Sequence, residues 1–158
     1  MGAIDDRLAE LGLELPPPWT PLGKFLPFRR DGHIVYLSGQ VCEWKGAGTR
    51  EGPVGHDDAS GEAAATAARI CALNLIYCLR LACDGDLDRV DAFMRVGGFV
   101  NCGPGFPHSP RVINGATELI HEVFGERGAH ARTAVGVAGL PGNAAVEVDA
   151  IVRVRSVS

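Results

Sequence analysis

The sequence predicts an α+β fold in which two helices cover one face of a single β-sheet. Three observations support this prediction. Residues 60–83 are rich in Ala and Leu and contain no Pro, which is typical of a long helix. Residues 109–124 repeat apolar side chains at helical spacing, and residues 145–154 alternate apolar and polar side chains as a half-buried strand does.

The beginning of the chain is predicted to form a short amphipathic helix. Residues 4–13 carry apolar side chains at helical spacing. Three prolines follow at positions 16–18, and we expect them to end the helix because Pro lacks an amide hydrogen. We therefore divide the chain into an N-terminal helix with a Pro-rich connector, residues 1–18, and a main domain, residues 19–158.

The main domain has the predicted element order β-β-α-β-α-β-β. Asp31-Gly32 joins the first two strands and is a dipeptide typical of hairpin turns. Residues 43–58 are rich in Gly and charge and predict a loop or an irregular hairpin. The predicted strands cover residues 24–30, 33–38, 90–101, 132–138 and 145–154.

Two further signals refine this order. Gly97 and Gly98 lie inside a predicted strand, where they indicate a bulge or a close backbone approach. Ser109 precedes Pro110, and this pair predicts a helix that starts with Ser109 as its N-cap.

Two helices leave the other face of such a sheet uncovered. Soluble monomers rarely expose a large apolar face, so we expect further copies of the chain to bury it. Oligomerisation is therefore predicted from the number of elements.

Composition excludes several classes of protein. The net charge of −4 and the dispersed Lys and Arg residues argue against binding to nucleic acid. The start of the chain has no secretory apolar region, and no continuous apolar run is long enough for a membrane helix. The five cysteines include no CxxC pair, which favours buried structural thiols in the reducing cytoplasm over a zinc site.

Five groups of short motifs occur in order between residues 20 and 154. They are Tyr36-Leu37-Ser38-Gly39-Gln40, Gly98-Phe99-Val100-Asn101 with Pro104-Gly105-Phe106, Val112-Ile113-Asn114-Gly115-Ala116, His130-Ala131-Arg132-Thr133-Ala134-Val135, and Leu140-Pro141 with Val146-Glu147-Val148-Asp149-Ala150-Ile151. In this order and spacing they resemble the RidA family, also named YjgF or endoribonuclease L-PSP, and especially a longer branch of it.

The resemblance implies a chorismate-mutase-like fold with a mixed sheet, assembled into a barrel-like homotrimer with clefts between subunits. It also implies hydrolysis of small 2-imino or 2-enamino acids to keto acids and ammonia without a cofactor. By this resemblance Arg132 clamps the substrate carboxylate and Glu147 holds or activates water. Asn114 matches an Asn of the cleft, and Ser38 and Gly39 match a strand end beside it.

Two positions depart from the family pattern. Ala134 stands where better-studied members carry Cys, and Phe25 is the nearest match to a Tyr of the first strand. The departures remove a thiol and a hydroxyl, which changes the substrate that we expect. His130 lies two residues before Arg132, where the predicted strand begins, and completes the expected substrate-binding set.

Each of these residues also has a structural interpretation. Arg132 could form a surface ion pair, and Glu147 could belong to a solvated strand face, with Asp149 sharing either role. Asn114 could cap a loop, and His130 could be structural.

Three functions follow from the resemblance. We expect a hydrolytic deaminase of small imino or enamino acids, with a carboxylate substrate, no cofactor and no metal. A non-catalytic trimer that binds small carboxylates is the alternative. Ribonuclease activity is the least favoured, because the chain is acidic and lacks a pair of His residues for acid and base catalysis.

Overall fold

A computed structural model of the protein describes residues 2–21 and 23–156. The described helices are α1 (Ala3–Glu10), α2 (Asp58–Ala82) and α3 (Ser109–Phe124). The strands are β1 (Phe28–Asp31), β2 (Ile34–Val41), β3 (Glu43–Trp44), β4 (Ala47–Gly48), β5 (Val90–Asn101), β6 (Ala131–Val137) and β7 (Val146–Val154). The predicted order of elements is confirmed, and the irregular hairpin predicted within residues 43–58 is β3–β4.

Five strands form one mixed sheet in the order β1-β2-β7-β5-β6. β5 and β6 are parallel, while the other neighbours in this sheet are antiparallel. A parallel pair needs a long crossover connection, and α3 supplies it between β5 and β6. The α+β fold is therefore confirmed.

The core lies between the sheet and the two long helices. Alternate residues of β7, from Val146 to Val154, are buried, and the residues between them are more exposed. On α2, fourteen residues between Gly61 and Ala82 are buried. The helix is long and apolar enough to pass as a membrane span by length and composition, but 61% of the apolar window is buried inside the fold. It is the core helix of this domain.

Gly98 allows α3 to lie close to β5. A Cβ at this position would lie 2.5 Å from Cγ1 of Ile113, which is closer than real Cβ contacts allow. The register shifts of β5 against β7 fall earlier in the strand, between Val90 and Ala92 and between Phe93 and Arg95. The glycine pair therefore marks a close approach and not a bulge.

The starts and ends of two helices differ from the sequence prediction. Ser109 is the first residue of α3 and His108 is the N-cap, because the Ser109 hydroxyl is buried beside Gly136 and cannot turn back to cap the helix. α1 ends at Glu10 instead of residue 13. Gly12 adopts a left-handed φ of 63° just beyond it, so the glycine and not the proline run breaks the helix.

α1 is anchored to the main domain. Its buried residues are Ile4 and Leu8. The Asp88 carboxylate accepts hydrogen bonds from the backbone N–H groups of Ala3 and Ile4 at 2.7 and 2.9 Å. Asp5 forms an ion pair with Arg80 of α2. A carboxylate at a helix N-terminus satisfies free amides and interacts favourably with the helix dipole.

All five cysteines are free and buried. Cys71 and Cys78 belong to the packed face of α2, and Cys83 follows its last residue. Burial raises the pKa of the Cys78 thiol to about 12. The interpretation of these residues as small buried side chains is confirmed.

The face of the sheet opposite the helices is uncovered in a single chain and carries both apolar and charged side chains. It exposes Tyr36, whose relative accessibility is 51%, beside Ile151. It also carries ion pairs from Arg95 to Asp149 at 3.4 Å and from Arg153 to Asp91 at 2.5 Å. Charged residues of β5 and β7 alternate outward with apolar ones on this face. Its burial by further copies of the chain stays a prediction.

Candidate functional site

The predicted site residues fall into two clusters. The first, which we call the guanidinium cluster, consists of Arg132, Asn114, Thr117 and His130. Arg132 lies on edge strand β6 and its side chain reaches α3. Nη1 of Arg132 donates to Oδ1 of Asn114 at 2.8 Å and to Oγ1 of Thr117 at 3.1 Å. The guanidinium is therefore fixed by a neighbouring helix and is not part of an ion pair among the described residues.

His130 continues this cluster away from Arg132. Its Nε2 lies 3.2 Å from Oγ1 of Thr117, and its Nδ1 lies 2.6 Å from the carbonyl oxygen of Gly128. Burial lowers the pKa of His130. The electrostatic effects of His121 and Arg132 lower it further, while the hydrogen bond to Gly128 acts in the opposite direction. The ring is therefore held in its neutral form near neutral pH.

Ala134 lies two residues after Arg132 on the same side of β6. It is partly buried and packs against the hydrophobic core. A methyl group at this position offers an apolar contact and no reactive group to anything bound beside the guanidinium.

The second cluster, which we call the carboxylate cluster, consists of Glu147, Gly39, Ser38 and Phe25. The Glu147 carboxylate lies over the backbone of Gly39, where a Cβ would overlap Oε1. The pairing of β2 with β7 is irregular between Leu37 and Gln40, which includes Gly39. A side chain at position 39 would therefore displace the Glu147 carboxylate from this place.

Glu147 is half-buried and has no hydrogen-bond or ion-pair partner among the described residues. Burial raises its pKa, and the negative charge of Asp149 raises it further. Asp149 itself pairs with Arg95 at 3.4 Å. Glu147 is therefore the carboxylate on this strand that is free to exchange a proton.

Ser38 and Phe25 form the outer part of the carboxylate cluster. Oγ of Ser38 donates to the carbonyl oxygen of Leu26 at 2.6 Å, which ties β2 to the segment that carries Phe25. Phe25 is 50% exposed. These residues line a surface pocket of about 330 Å³, together with Leu26, Phe28, Arg29, Tyr36 and Leu37.

The two clusters lie on opposite faces of the sheet. Arg132 is paired with Val96 of β5, whose side chain is buried on the helix side. Glu147 is paired with Phe99 of the same strand and faces away from the helices. Strand β5 stands between β6 and β7, so the two backbones are about 10 Å apart even without the residue offset along the strands. One chain therefore does not bring Arg132 and Glu147 together, and a site that uses both must take them from two chains.

Residues 5–152 match the family described as "YjgF/chorismate mutase-like, putative endoribonuclease". The chain belongs to the YjgF family. The resemblance to this family, for which RidA is another name, is thereby confirmed.

Three relatives match this YjgF-family chain over nearly its full length. "Protein TCP17" of Trypanosoma cruzi is 40% identical over 156 residues, covering 98% of this chain and 96% of that protein. The crystal structure of the protein Atu1372 from Agrobacterium tumefaciens, described as of unknown function, has a TM-score of 0.87 at 40% identity and covers 97% and 94% of the two chains. The crystal structure of a protein from Shewanella oneidensis MR-1, described as a "putative endoribonuclease", has a TM-score of 0.89 at 30% identity, with coverage of 97% and 100%.

Two features of this YjgF-family chain escaped the sequence reasoning. Thr117 joins Arg132 to His130, and its position three residues after Asn114 on one helix could have suggested a shared face. Arg95 of β5 forms an ion pair with Asp149 of the neighbouring strand β7. Nothing in the sequence indicates how these two strands are aligned.

Proposed function

We propose that the protein hydrolyses the C=N bond of small 2-imino acids, including those formed from 2-enamino acids, to 2-keto acids and ammonia. The site would lie between copies of the chain in a homotrimer. One observation carries the proposal: each chain holds a fixed guanidinium on one face of its sheet and a half-buried carboxylate without a partner on the other. These are complementary halves of a site for a carboxylate substrate and an attacking water.

Arg132 would bind the substrate carboxylate. The hydrogen bonds that fix the guanidinium within the chain use Nη1. Nε and Nη2 are left to donate two parallel hydrogen bonds to a carboxylate, which a Lys ammonium cannot do. The guanidinium thereby places C2 of the substrate at a fixed distance from the start of β6.

Glu147 of the neighbouring chain would act as the base. It takes a proton from water as the water oxygen bonds to C2 and the C=N bond becomes single. It returns this proton to nitrogen, which gives a carbinolamine. It then takes the remaining hydroxyl proton and passes it to nitrogen as the C–N bond breaks, the carbonyl forms and ammonia leaves. The raised pKa of Glu147 favours both transfers, because a carboxyl that is too acidic would not accept the proton from water.

The other residues would shape the pocket. Asn114 and the strand end at Ser38 and Gly39 orient the substrate, while Phe25 contacts its side chain. Ala134 leaves an apolar surface beside Arg132 in place of a thiol. Imine hydrolysis is intrinsically easy, so positioning and one proton relay are sufficient without a cofactor.

The direct test follows the decay of 2-iminopropanoate, generated in situ from alanine by an amino-acid oxidase and trapped with semicarbazide. We expect the wild-type protein to accelerate the decay and Arg132→Lys to lower kcat/KM by at least about 10-fold, because the charge stays but the paired hydrogen bonds are lost. Arg111→Lys is the matched control, since Arg111 pairs with Asp58 on the surface. It should retain wild-type kinetics.

A decay no faster than buffer would contradict the proposal for this substrate. Calorimetric titration with 2-ketobutyrate then separates the alternatives: binding that Arg132→Lys weakens, without turnover, supports a non-catalytic carboxylate binder.

The titration of Glu147 gives an independent prediction. Burial and the charge of Asp149 both disfavour the ionised form, so Glu147 should titrate above the ordinary range of a glutamate. The Asp149→Asn variant should lower this pKa, since one of the two causes is removed. The measurement is a pH titration of side-chain carboxyl carbons by NMR, with Glu147→Gln to assign the signal. An equal or higher pKa in Asp149→Asn would refute the electrostatic account.

A further inference from the structure

The hydrogen bonds around His130 fix which of its nitrogens carries the proton. Nδ1 lies 2.6 Å from the carbonyl oxygen of Gly128, and a carbonyl oxygen can only accept. Nδ1 therefore carries hydrogen. In the neutral ring the other nitrogen, Nε2, is then an acceptor.

This assignment fixes the direction of the next two hydrogen bonds. The Thr117 hydroxyl, 3.2 Å from Nε2, must donate its single hydrogen to His130. Its oxygen keeps two lone pairs, and one of them accepts from Nη1 of Arg132 at 3.1 Å. The three bonds run in one direction, from Arg132 through Thr117 and His130 to the Gly128 carbonyl, and each polarises the next.

We infer that Thr117 and His130 are positioning residues that hold the Arg132 guanidinium in the orientation that presents Nε and Nη2 to a carboxylate. The inference rests on the proposed function for its kinetic consequence. Asn114 fixes Nη1 from one direction, and Thr117 fixes it from a second. Two acceptors on one nitrogen define the plane of the guanidinium, which a single acceptor does not.

His130 acts through Thr117. A hydroxyl without a strong acceptor can rotate and direct its own hydrogen toward Arg132, which would turn the attraction into repulsion. The neutral Nε2 prevents this by accepting that hydrogen. Burial, which lowers the pKa of His130, keeps the ring in the form that can accept. The His121 ring lies beside the His130 ring, with centroids 6.0 Å apart, and His121 and Arg132 both lower the pKa of His130 electrostatically.

Thr117→Val tests the inference, because valine keeps the shape of threonine and removes the hydroxyl. We expect KM for the imino acid to rise about 10-fold with kcat changed much less, since carboxylate binding is lost equally in the ground and transition states. Thr117→Ser restores the hydroxyl and should return KM to within a few-fold of wild type. Thr66→Val is the matched control, because Thr66 is an exposed helix residue whose hydroxyl bonds only to the Glu62 carbonyl.

The relation between the two residues is tested by a double-mutant cycle. His130→Phe should raise KM in the wild-type background and have no further effect in Thr117→Val, because its influence passes through the missing hydroxyl. Independent effects of the two substitutions on KM would overturn the proposed chain.

A readout that does not require activity is the side-chain NMR of Arg132 in arginine-labelled protein, assigned with Arg132→Lys. Thr117→Val should speed rotation of the guanidinium, and Thr117→Ser should not. Unchanged rotation in Thr117→Val overturns the inference whether or not imines are hydrolysed, and so does faster rotation with unchanged KM. If the wild-type protein does not hydrolyse imines, the proposed function is wrong but this inference is still tested. The Kd for 2-ketobutyrate is then measured in place of KM, and Thr117→Val should raise it about 10-fold.

Discussion

A mixture of Arg132→Ala chains and Glu147→Gln chains is expected to recover about a quarter of wild-type imine hydrolysis, although each variant alone should be about 100-fold less active or worse. The reason is geometric. Arg132 and Glu147 lie on opposite faces of the sheet with β5 between their strands, so one chain cannot supply both to one pocket.

The expected fraction follows from the way in which a ring of identical subunits is built. Each site would take Arg132 from one chain and Glu147 from its neighbour. In randomly mixed assemblies, half of the chains carry an intact Arg132 and half carry an intact Glu147. About one site in four therefore contains both.

The controls of this experiment separate subunit exchange from catalysis. Native mass spectrometry of chains with different isotope labels shows that mixed assemblies form and reports the number of chains in each. Mixing Arg132→Ala with the double variant Arg132→Ala/Glu147→Gln should give no recovery, because no intact Arg132 is present. Mixed assemblies without recovery would contradict a shared site, and a mass equal to one chain would contradict the assembly itself.

For only one of these two residues does the sequence alone predict which face of the sheet it occupies. The alternation in β7 is regular, so the sequence pattern alone assigns Glu147 to the face opposite Val146 and Val148. β6 is an edge strand, and burial alternates only weakly from residue to residue along it. The face that Arg132 occupies depends on its bonds to Asn114 and Thr117, which are tertiary contacts.

The order of the elements was predictable because the local signals agree with the tertiary structure. The apolar periodicity of α3 matches the side that it buries, and the alternation in β7 matches its two faces. The exact helix ends depended on single residues. α1 ends near Gly12, before the chain reaches the proline run. The Ser109 residue is buried, and the N-cap of α3 is His108.

The largest expected effect on stability comes from Gly115, at the contact between α3 and α2. A Cβ at this position would overlap the backbone carbonyl oxygen of Ala65. A carbonyl cannot rotate away as a side chain can, so Gly115→Ala must push the two helices apart or strain them. We expect a loss of about 2–4 kcal/mol in the free energy of unfolding, although alanine by itself favours a helix over glycine by up to about 1 kcal/mol.

Gly61→Ala is the matched control, because Gly61 also lies in a helix and a Cβ there would meet nothing within 4 Å. It should stabilise the protein by about 0.5–1 kcal/mol, so the two identical substitutions should change stability in opposite directions. Urea unfolding at one fixed protein concentration measures both, since assembly makes stability depend on concentration. Equal stabilities of the two variants would contradict this prediction, because they would show that α2 and α3 can move apart without a cost in free energy.

Gly115 directly follows Asn114, so a shift of α3 would also move the acceptors that hold Arg132. The Gly115→Ala variant should therefore lose carboxylate binding under conditions where it is still folded, and Gly61→Ala should keep it.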